Sequence, residues 1–285
     1  MGNSFYSGEF CNYMRCKIAV VQFEAKDSSY EKNLERAESF VKKAVKKKAD
    51  LIIFPENFLS HPLHKKGDFI DSKFVARKFF QNLAKKYSID IVTGSVIEKN
   101  FFGRKYNVSY YINSEGKIKC RYKKIHLWDI EKRSLKRGDK TKVFDTKFGK
   151  IGLIICWDLA FPEVFEKMVK KNVEIVICPA HWCFGDAGVG LKYAHDSEIK
   201  FVDSLCVERA FENEIILIFC NTAGRFKIGK KWDISIGHSQ ITEPFKGAIK
   251  KLNHNRESMF IQKINTNILK DSERAYEIRQ DLKRK

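Results

Sequence analysis

The chain has 285 residues, with 44% hydrophobic residues, a formal net charge of +19 at pH 7 and eight cysteines. This length and apolar content suffice for a folded core, so the composition excludes an intrinsically disordered chain. The apolar runs are too short to cross a bilayer and no signal-peptide pattern opens the chain, so we expect a cytoplasmic protein without a membrane anchor.

The N-terminal part of the chain predicts buried strands that alternate with amphipathic helices. Residues 17–23, KIAVVQF, have the pattern of a buried strand, and Ser28 with Glu31 predicts a capping box that opens a helix. A second buried strand, LIIF at 51–54, ends just before the Pro-Glu pair that contains Glu56. Both strands are continuously apolar, which is typical of strands buried on two faces.

The middle of the chain predicts a helix followed by several strands. Residues 71–87 follow a loop and have helical periodicity. The apolar side chains on the predicted inner face of this helix are Phe74, Val75, Phe79, Leu83 and Tyr87. Strand patterns then occur at residues 89–97, 106–112 and 118–128. Residues 143–156 predict a hairpin whose second strand delivers Cys156.

The C-terminal half returns to alternating helices and strands. Helices are predicted at residues 162–171, 194–213 and near the C-terminus, and strands at 174–180, 215–220, 234–241 and 258–264. Buried strands alternating with amphipathic helices indicate a layered α/β fold. Since no flexible linker or repeat interrupts the pattern, we expect residues 14–285 to form a single domain and residues 1–13 to be a poorly ordered extension.

The cysteines indicate buried thiols rather than a disulfide framework. Those inside apolar patterns are Cys16, Cys120, Cys178, Cys206 and Cys220. A long chain without an export signal has little use for disulfides. The nearest approach to a metal motif, Cys178 with His181 and Cys183, lacks a second ligand group at metal spacing, so we expect no bound metal.

The basic charge is spread over the whole chain. In KKAVKKK at 42–48, for example, lysines alternate with Ala44 and Val45 as on the solvated face of a helix. No nucleic-acid-binding signature accompanies the lysines, so specific nucleic-acid binding is not expected. A basic binding module without enzymatic activity nevertheless stays open as an alternative.

Three polar residues stand just beyond or at the end of apolar strand patterns: Glu56, Lys124 and Cys156. Catalytic groups of α/β folds collect at the carboxyl ends of strands. A thiolate that attacks an electrophilic carbon, a carboxylate that transfers protons and an ammonium group that stabilises negative charge form an acyl-transfer site. The ammonium group is also expected to lower the thiol pKa. Each residue alone has a structural explanation, and only the combination favours catalysis.

The same residues lie in a series of sequence motifs. The series comprises FPE at Glu56, Y-x-K-x-H-L at Lys124, C-x-D-x-x-F-P-E at Cys156, PAHW at 179–182, ERAFEN at 208–213, N-x-x-G at 221–224 and G-H-S-x-I-x-x-P-x-G at 237–247. In this series and order the chain resembles the nitrilase superfamily of carbon-nitrogen hydrolases. The resemblance runs from residue 17 to the last helix.

The resemblance implies a role for each matching position. Glu56 would be the general base, Lys124 the charge stabiliser and Cys156 the nucleophile. Glu131 matches a further carboxylate that supports the lysine, and the Trp157 backbone N–H would join Lys124 in binding the oxyanion. In the same family pattern His126 and His238 are structural hydrogen-bonding residues, and His61, His181 and Trp182 are expected to line the substrate pocket.

The resemblance also implies the architecture and the partners. The expected fold is an α-β-β-α sandwich that dimerises into an eight-layer homodimer or a higher homo-oligomer. No cofactor is expected, because nucleophile, base and cation are all side chains. The expected substrate is a small linear amide, hydrolysed at a non-peptide carbon–nitrogen bond with release of ammonia.

Two positions bear on the substrate. Many family members that act on carboxylate-bearing substrates have an arginine three or four residues after the nucleophile, where this chain has Leu159 and Ala160. An acidic substrate is therefore less expected, unless another cation such as Arg225 substitutes. Asp158, rather than Glu, after Trp157 favours amidases and carbamoylases over nitrile hydrolysers.

Alternatives remain within and outside the family. An N-carbamoyl-amine hydrolase or a nitrilase would use the same three residues. A Cys-His hydrolase would instead use His126 or His181 as the base, although the local signatures of such enzymes are absent around Cys156.

Overall fold

The computed structural model describes residues 15–26, 29–60, 70–71, 73–228 and 231–284. The predictions for residues 1–13, for Ser28 and for His61 lie outside these ranges. Within them the α-helices are α1 (Tyr30–Lys46), α2 (Val75–Tyr87), α3 (Glu131–Ser134), α4 (Pro162–Val169), α5 (Ser197–Glu212), α6 (Asn267–Tyr276) and α7 (Ile278–Arg284). Two 3₁₀ segments span Cys156–Ala160 and Phe184–Lys192.

The strands of the described residues fall into two sheets and a separate hairpin. In chain order they are β1 (Arg15–Gln22), β2 (Leu51–Ile53), β3 (Asp90–Val92), β4 (Val96–Lys99), β5 (Lys105–Ile112), β6 (Ile118–Lys123), β7 (Lys142–Thr146), β8 (Gly149–Leu153), β9 (Ile175–Ala180), β10 (Ile216–Asn221), β11 (Arg225–Ile228), β12 (Lys231–Ile234), β13 (Gln240–Glu243), β14 (Gly247–Lys251) and β15 (Ser258–Asn265). One sheet has the order β15-β1-β2-β3-β5-β4, with β6 paired to β5. The second has the order β14-β13-β10-β9-β8-β7, and β11 pairs with β12 alone.

The two sheets pack face to face between two layers of helices. Successive side chains of a strand point to opposite faces. In β1, Ile18 and Val20 belong to the core shared with the second sheet, whereas Ala19 and Val21 pack with α1 and α2. Apolar residues of α4 and α5 cover the outer face of the second sheet. This arrangement confirms the predicted α-β-β-α sandwich.

Two details of the helices differ from the sequence prediction. Helix α1 begins at Tyr30, and its N-cap is Ser29, whose hydroxyl accepts the N–H of Lys32. Helix α2 begins only at Val75, which is 46% exposed. Its buried residues are Ala76, Phe80, Leu83 and Ala84. Of the predicted inner face, Leu83 is buried, and Phe79 and Tyr87 pack against the same core. Asp71 accepts the first free N–H groups of α2 and sets where that helix begins.

Parallel strands lie at the centre of each sheet and bring several chain segments to one edge. Strands β1, β2 and β3 run parallel in the first sheet, as do β8, β9 and β10 in the second. The backbone N–H of Glu56, just after β2, donates to the carbonyl oxygen of Ala180 at the end of β9, 3.2 Å away. The carboxyl ends of strands from both sheets therefore meet.

The seven cysteines in the described residues are buried free thiols, as the sequence predicted. One of them joins the two sheets: the thiol of Cys220 in β10 donates to the carbonyl oxygens of Val21 and Ile53 in the first sheet. No helix within the described ranges combines the length and apolar content that a bilayer crossing requires.

Candidate active site

Cys156 lies at a sharp turn between β8 and a 3₁₀ segment. Its φ angle is +46°, in the left-handed region that non-glycine residues rarely occupy. Such a conformation costs on the order of 1 kcal/mol or more and persists only where the surroundings enforce it. The turn directs the thiol into a pocket between the two sheets.

Asp158 holds this turn in place. It is fully buried and accepts four hydrogen bonds. Oδ2 accepts the Ile155 N–H at 3.0 Å and the Tyr122 hydroxyl at 2.7 Å. Oδ1 accepts the His126 N–H at 2.7 Å and lies 3.0 Å from the Nδ1 atom of the same residue. The aspartate in the C-x-D motif is therefore a structural anchor for the nucleophile turn.

Arg209, in the ERAFEN motif, holds the far side of the same turn. Its Nε donates to the carbonyl oxygen of Leu159 at 3.2 Å, and Nη2 donates to that of Ala160 at 3.4 Å. Glu212 accepts from Nη1 at 2.7 Å. Helix α5 thereby fixes the segment that follows Cys156.

Lys124 lies between two carboxylates in the same pocket. Its Nζ atom is 2.9 Å from Oε1 of Glu56 and 2.7 Å from Oε2 of Glu131. The exposed fractions are 2% for Lys124, 2% for Glu56 and 6% for Glu131, so little water screens these charges. The structure thus brings together Glu56, Lys124, Glu131 and Cys156, four of the predicted site residues.

Neighbouring groups orient the two carboxylates. Asn107 Nδ2 donates to Oε1 of Glu56 at 2.7 Å and to Oε1 of Glu131 at 2.9 Å. The backbone N–H of His181 donates to Oε2 of Glu56, and that of Trp128 to Oε2 of Glu131. Sequence reasoning missed Asn107. Asn107 stands in the strand pattern YNVSYYI at 106–112, and nothing in that pattern indicates its contact with Glu56.

Burial and charge act in opposite directions on this cluster. The pKa of Glu56 is raised, chiefly by burial, although Lys124 counteracts the shift. Burial works to lower the pKa of Lys124, but the charges of Glu131, Glu56 and Cys156 outweigh it and hold that pKa well above the usual range. Lys124 therefore stays a cation.

The pKa of the Cys156 thiol is raised well above its usual value. Burial is the main cause and the Glu56 charge is the second, while Lys124 lowers the pKa by less. Lys124 acts on the thiol pKa in the predicted direction, but burial and the Glu56 charge outweigh its effect. Burial and the Glu56 charge therefore favour the protonated form of the Cys156 thiol.

The pocket has a volume of about 640 Å³. Its lining includes the predicted residues Glu56, Lys124, Glu131, Cys156, Trp157, His181 and Trp182. Sequence reasoning missed other lining residues, including Trp128, Asp129, Asp186, Phe226 and Asp233. Several of them belong to the 3₁₀ segment Phe184–Lys192 and to the β11–β12 hairpin. Both segments reach the pocket only through tertiary structure, which the sequence pattern does not indicate.

Three further residues named from the sequence lie away from the Cys156 thiol. His126 directs Nδ1 to Asp158 and Nε2 to Glu163, and its ring stacks on Phe161. The Nδ1 atom of His238 faces Asp203, 3.5 Å away. Arg225 is exposed, and its guanidinium group lies 5.0 Å from the Trp232 ring centre. Arg225 therefore does not replace the missing arginine in the pocket.

Residues 17–271 match the family model described as carbon-nitrogen hydrolase. The chain belongs to the carbon-nitrogen hydrolase family. A probable nitrilase of Schizosaccharomyces pombe is 30% identical, covering 86% of this chain and 87% of that protein. The omega-amidase NIT3 of Saccharomyces cerevisiae is 29% identical, covering 81% and 80%.

The crystal structure of Saccharomyces cerevisiae Nit3, described as a member of branch 10 of the nitrilase superfamily, is similar to this carbon-nitrogen hydrolase. It has a TM-score of 0.78 at 25% identity and covers 92% of this chain and 94% of that one. The chain is thus an enzyme of the nitrilase superfamily, of the amidase-like type that the motifs indicated. Within the described residues, no group of three or more potential metal ligands occurs.

Proposed function

We propose that the protein hydrolyses a small linear amide through an acyl-enzyme on Cys156, with Glu56 as general base and Lys124 as electrostatic stabiliser. The observation that carries the proposal is the buried cluster in which the Lys124 ammonium group lies within 2.9 Å of both Glu56 and Glu131, in the pocket that Cys156 also lines. Relatives in the amidase branch, among them an omega-amidase and a 2-oxoglutaramate amidase, support amides as the substrate class.

The acylation step starts from the neutral thiol. As the Cys156 sulfur attacks the amide carbon, its proton moves to the Glu56 carboxylate. Negative charge builds up on the amide oxygen and is stabilised by the Lys124 ammonium group and the Trp157 N–H. Trp157 stands in the first turn of its 3₁₀ segment, where backbone N–H groups lack helical partners. Glu56 then protonates the amide nitrogen, the C–N bond breaks, and ammonia leaves.

Deacylation repeats these roles with water. Glu56 takes a proton from a water molecule, whose oxygen attacks the thioester carbon. The C–S bond breaks, and Glu56 returns the proton to the Cys156 sulfur, which leaves a carboxylic acid product. Glu131 and Asn107 contact Glu56 or Lys124 and position them throughout the cycle. All proton transfers are accounted for by side chains of the pocket.

Ammonia release from a panel of amides, combined with intact mass measurement of the protein, tests the proposal. We expect a mass increase equal to the acyl group on Cys156 and no turnover by the Cys156→Ala variant. Cys206→Ala is the matched control, because Cys206 is a buried thiol of α5 outside the pocket. Turnover that survives in Cys156→Ala, or an acyl group on another residue, would refute the mechanism.

Product analysis separates the related activities. An amidase releases ammonia and an acid, an N-carbamoyl-amine hydrolase releases ammonia, carbon dioxide and an amine, and a nitrilase produces an acid and ammonia from a nitrile. If the protein turned over only carbamoyl compounds or only nitriles, the roles proposed for Cys156, Glu56 and Lys124 would stand. The proposed substrate class would then change from amides to that class of compound.

A further inference from the structure

The β11–β12 hairpin presents two different faces. Its register places Phe226 opposite Asp233, and both residues line the catalytic pocket. Side chains alternate along a strand, so the neighbouring positions face the other way. On that outer face Arg225 and Lys227 both lie against the Trp232 ring, which is 54% exposed. The hairpin therefore places Arg225 and Lys227 outside and turns an aromatic ring and a carboxylate inward.

The Asp233 carboxylate is held in place by backbone groups. Its Oδ1 atom accepts the N–H of Gly185 at 3.1 Å and that of Ile234 at 2.7 Å. Gly185 leaves room for this approach, because a Cβ atom there would displace the carboxylate. Oδ2 of Asp233 is left to face other groups.

A second carboxylate, Asp186, lies close by in the 3₁₀ segment. Its Oδ2 atom accepts the backbone N–H of Cys183 at 2.8 Å. The pKa of Asp186 is raised to about 7, first by burial and then by the charges of Asp233, Glu198 and Glu56. Negative charges therefore accumulate in this part of the pocket, and an added cation would relieve their repulsion.

The charge of the pocket contrasts with the charge of the chain. The protein carries +19 overall. Apart from Glu56, Lys124 and Glu131, the described acidic and basic residues of the pocket lining are the carboxylates Asp129, Asp186 and Asp233 and one ammonium group, Lys132. An arginine that would pair with a substrate carboxylate is absent from this described lining.

Aromatic rings supply the remaining walls. Trp128 and Trp157 are in edge-to-face contact, with ring centres 4.3 Å apart, and Trp157 lies 5.4 Å from Trp182. Phe226 also lines the pocket and contacts the His181 ring. Aromatic faces attract cations through their quadrupoles, so rings and carboxylates together favour a positively charged ligand.

The geometry points to an amide substrate whose far end carries a positive charge, an ammonium or guanidinium group, bound by Asp233 and Asp186 against the aromatic wall. This inference rests on the proposed amide hydrolysis and names its substrate class. When the charged end of the substrate binds at the two carboxylates, the amide carbon at its other end is placed at Cys156. A substrate ending in a carboxylate would meet like charges instead.

Three amides of matched length test the inference. γ-Aminobutyramide, pentanamide and the monoamide of glutaric acid carry an ammonium, a methyl and a carboxylate group, respectively, at the same distance from the amide. We expect kcat/KM for the ammonium compound to exceed that for pentanamide by about tenfold or more. We expect the carboxylate compound to be the poorest of the three. Equal or better turnover of the methyl or carboxylate compound would overturn the inference and leave the amidase proposal standing.

Two variants, Asp233→Asn and Asp186→Asn, test whether these carboxylates cause the preference for the ammonium compound. Asparagine keeps an oxygen that can accept the backbone N–H groups and removes only the charge. We expect either variant to reduce the ratio of kcat/KM for the ammonium compound to kcat/KM for the methyl compound by about tenfold, through KM. Asp271→Asn on α6 is the matched control, because this exposed carboxylate lies outside the pocket lining. An unchanged ratio in both pocket variants would contradict the assignment.

A binding measurement keeps the inference testable without turnover. Three tryptophans line the pocket, so intrinsic fluorescence reports its occupation. We expect pentylammonium to change the fluorescence saturably and pentanoate to have no such effect, and Asp233→Asn to weaken the pentylammonium response. If no amide releases ammonia, the proposed function fails, and this titration still decides on the cation site. Preferential binding of pentanoate would overturn the inference.

Discussion

The side-chain amide of Asn107 donates a hydrogen bond to Oε1 of Glu56 at 2.7 Å. The same nitrogen donates to Glu131 at 2.9 Å, so one neutral group joins both carboxylates that flank Lys124. Asn107 is only 1% exposed and is absent from the described pocket lining. It acts through Glu56 and Glu131 and is therefore a positioning residue.

Asn107→Ala is expected to lower kcat by about tenfold to a hundredfold, as the loss of a supporting hydrogen bond commonly does. Because the lost hydrogen bond favours the charged form of Glu56, the carboxyl pKa should rise. The acidic limb of the pH profile of kcat/KM should then move to higher pH. Asn82→Ala, at an exposed position of α2, is the control. A lower rate with an unmoved pH profile would indicate that Asn107 only supports folding.

Replacement of Lys124 by methionine tests the buried cation. The variant keeps most of the side-chain volume, but it removes the charge that stabilises the oxyanion and leaves two carboxylates facing each other. We expect kcat to fall by about a hundredfold to a thousandfold, as after loss of an oxyanion donor. The measurement is single-turnover acylation of Cys156.

Lys123→Met is the matched control for this experiment. Lys123 is the preceding residue, and its ammonium group lies 4.1 Å from the Tyr106 ring centre. We expect near-normal acylation in that variant. If Lys124→Met retained the rate, the site would be a Cys-His hydrolase with His181 as the candidate base.

Asp158 is expected to contribute to stability as well as to the nucleophile turn. Asp158→Asn replaces one carboxylate oxygen with a donor that faces the Ile155 N–H, and we expect a loss of about 3 kcal/mol. Tyr122→Phe removes one hydrogen bond to the same carboxylate, with an expected loss of about 1.5 kcal/mol. Denaturant unfolding measures both losses. Asp145→Asn, at an exposed carboxylate, should be nearly neutral. Equal stability of all three variants would contradict the anchoring role.

The sequence predicts the layers and the residues at strand ends because both depend on local patterns. Continuous apolar strands indicate burial on two faces, and Glu56 and Cys156 follow such strands directly. The catalytic roles of these residues, the single domain and the homodimer remain predictions. The inner face of α2 was predicted correctly at Phe79, Leu83 and Tyr87 and wrongly at Val75, where the helix begins after the Asp71 cap.

The rest of the pocket depends on contacts between distant segments. Asn107 reaches Glu56 across 51 positions in the chain. Asp233 faces the pocket only because the hairpin register pairs it with Phe226 and because Gly185 leaves room for the carboxylate. Neither relationship leaves a periodic signal in the sequence, so neither is predictable from one chain.

The pH dependence of substrate preference tests Asp186 directly. The pKa of this carboxyl is raised to about 7, so its negative charge develops as the pH rises through neutrality. The groups that act on it are Asp233 on the hairpin, Glu198 on α5, Glu56 after β2 and the hydrogen-bonded Cys183 N–H. Binding of a cationic amide should therefore strengthen as the pH rises, since protonated Asp186 has no charge to offer.

The measured quantity is the ratio of kcat/KM for γ-aminobutyramide to that for pentanamide between about pH 6 and pH 8, a range that spans the pKa of Asp186. The ratio cancels the titration of Glu56 and Cys156, which affects both substrates alike, and the ammonium group stays charged throughout. We expect the ratio to rise severalfold with pH in the unaltered protein and to stay flat in Asp186→Asn. A ratio that is flat in both proteins would show that Asp186 does not face the cation. A ratio that falls with pH would contradict the cation site, because the developing carboxylate charge should attract the ammonium group.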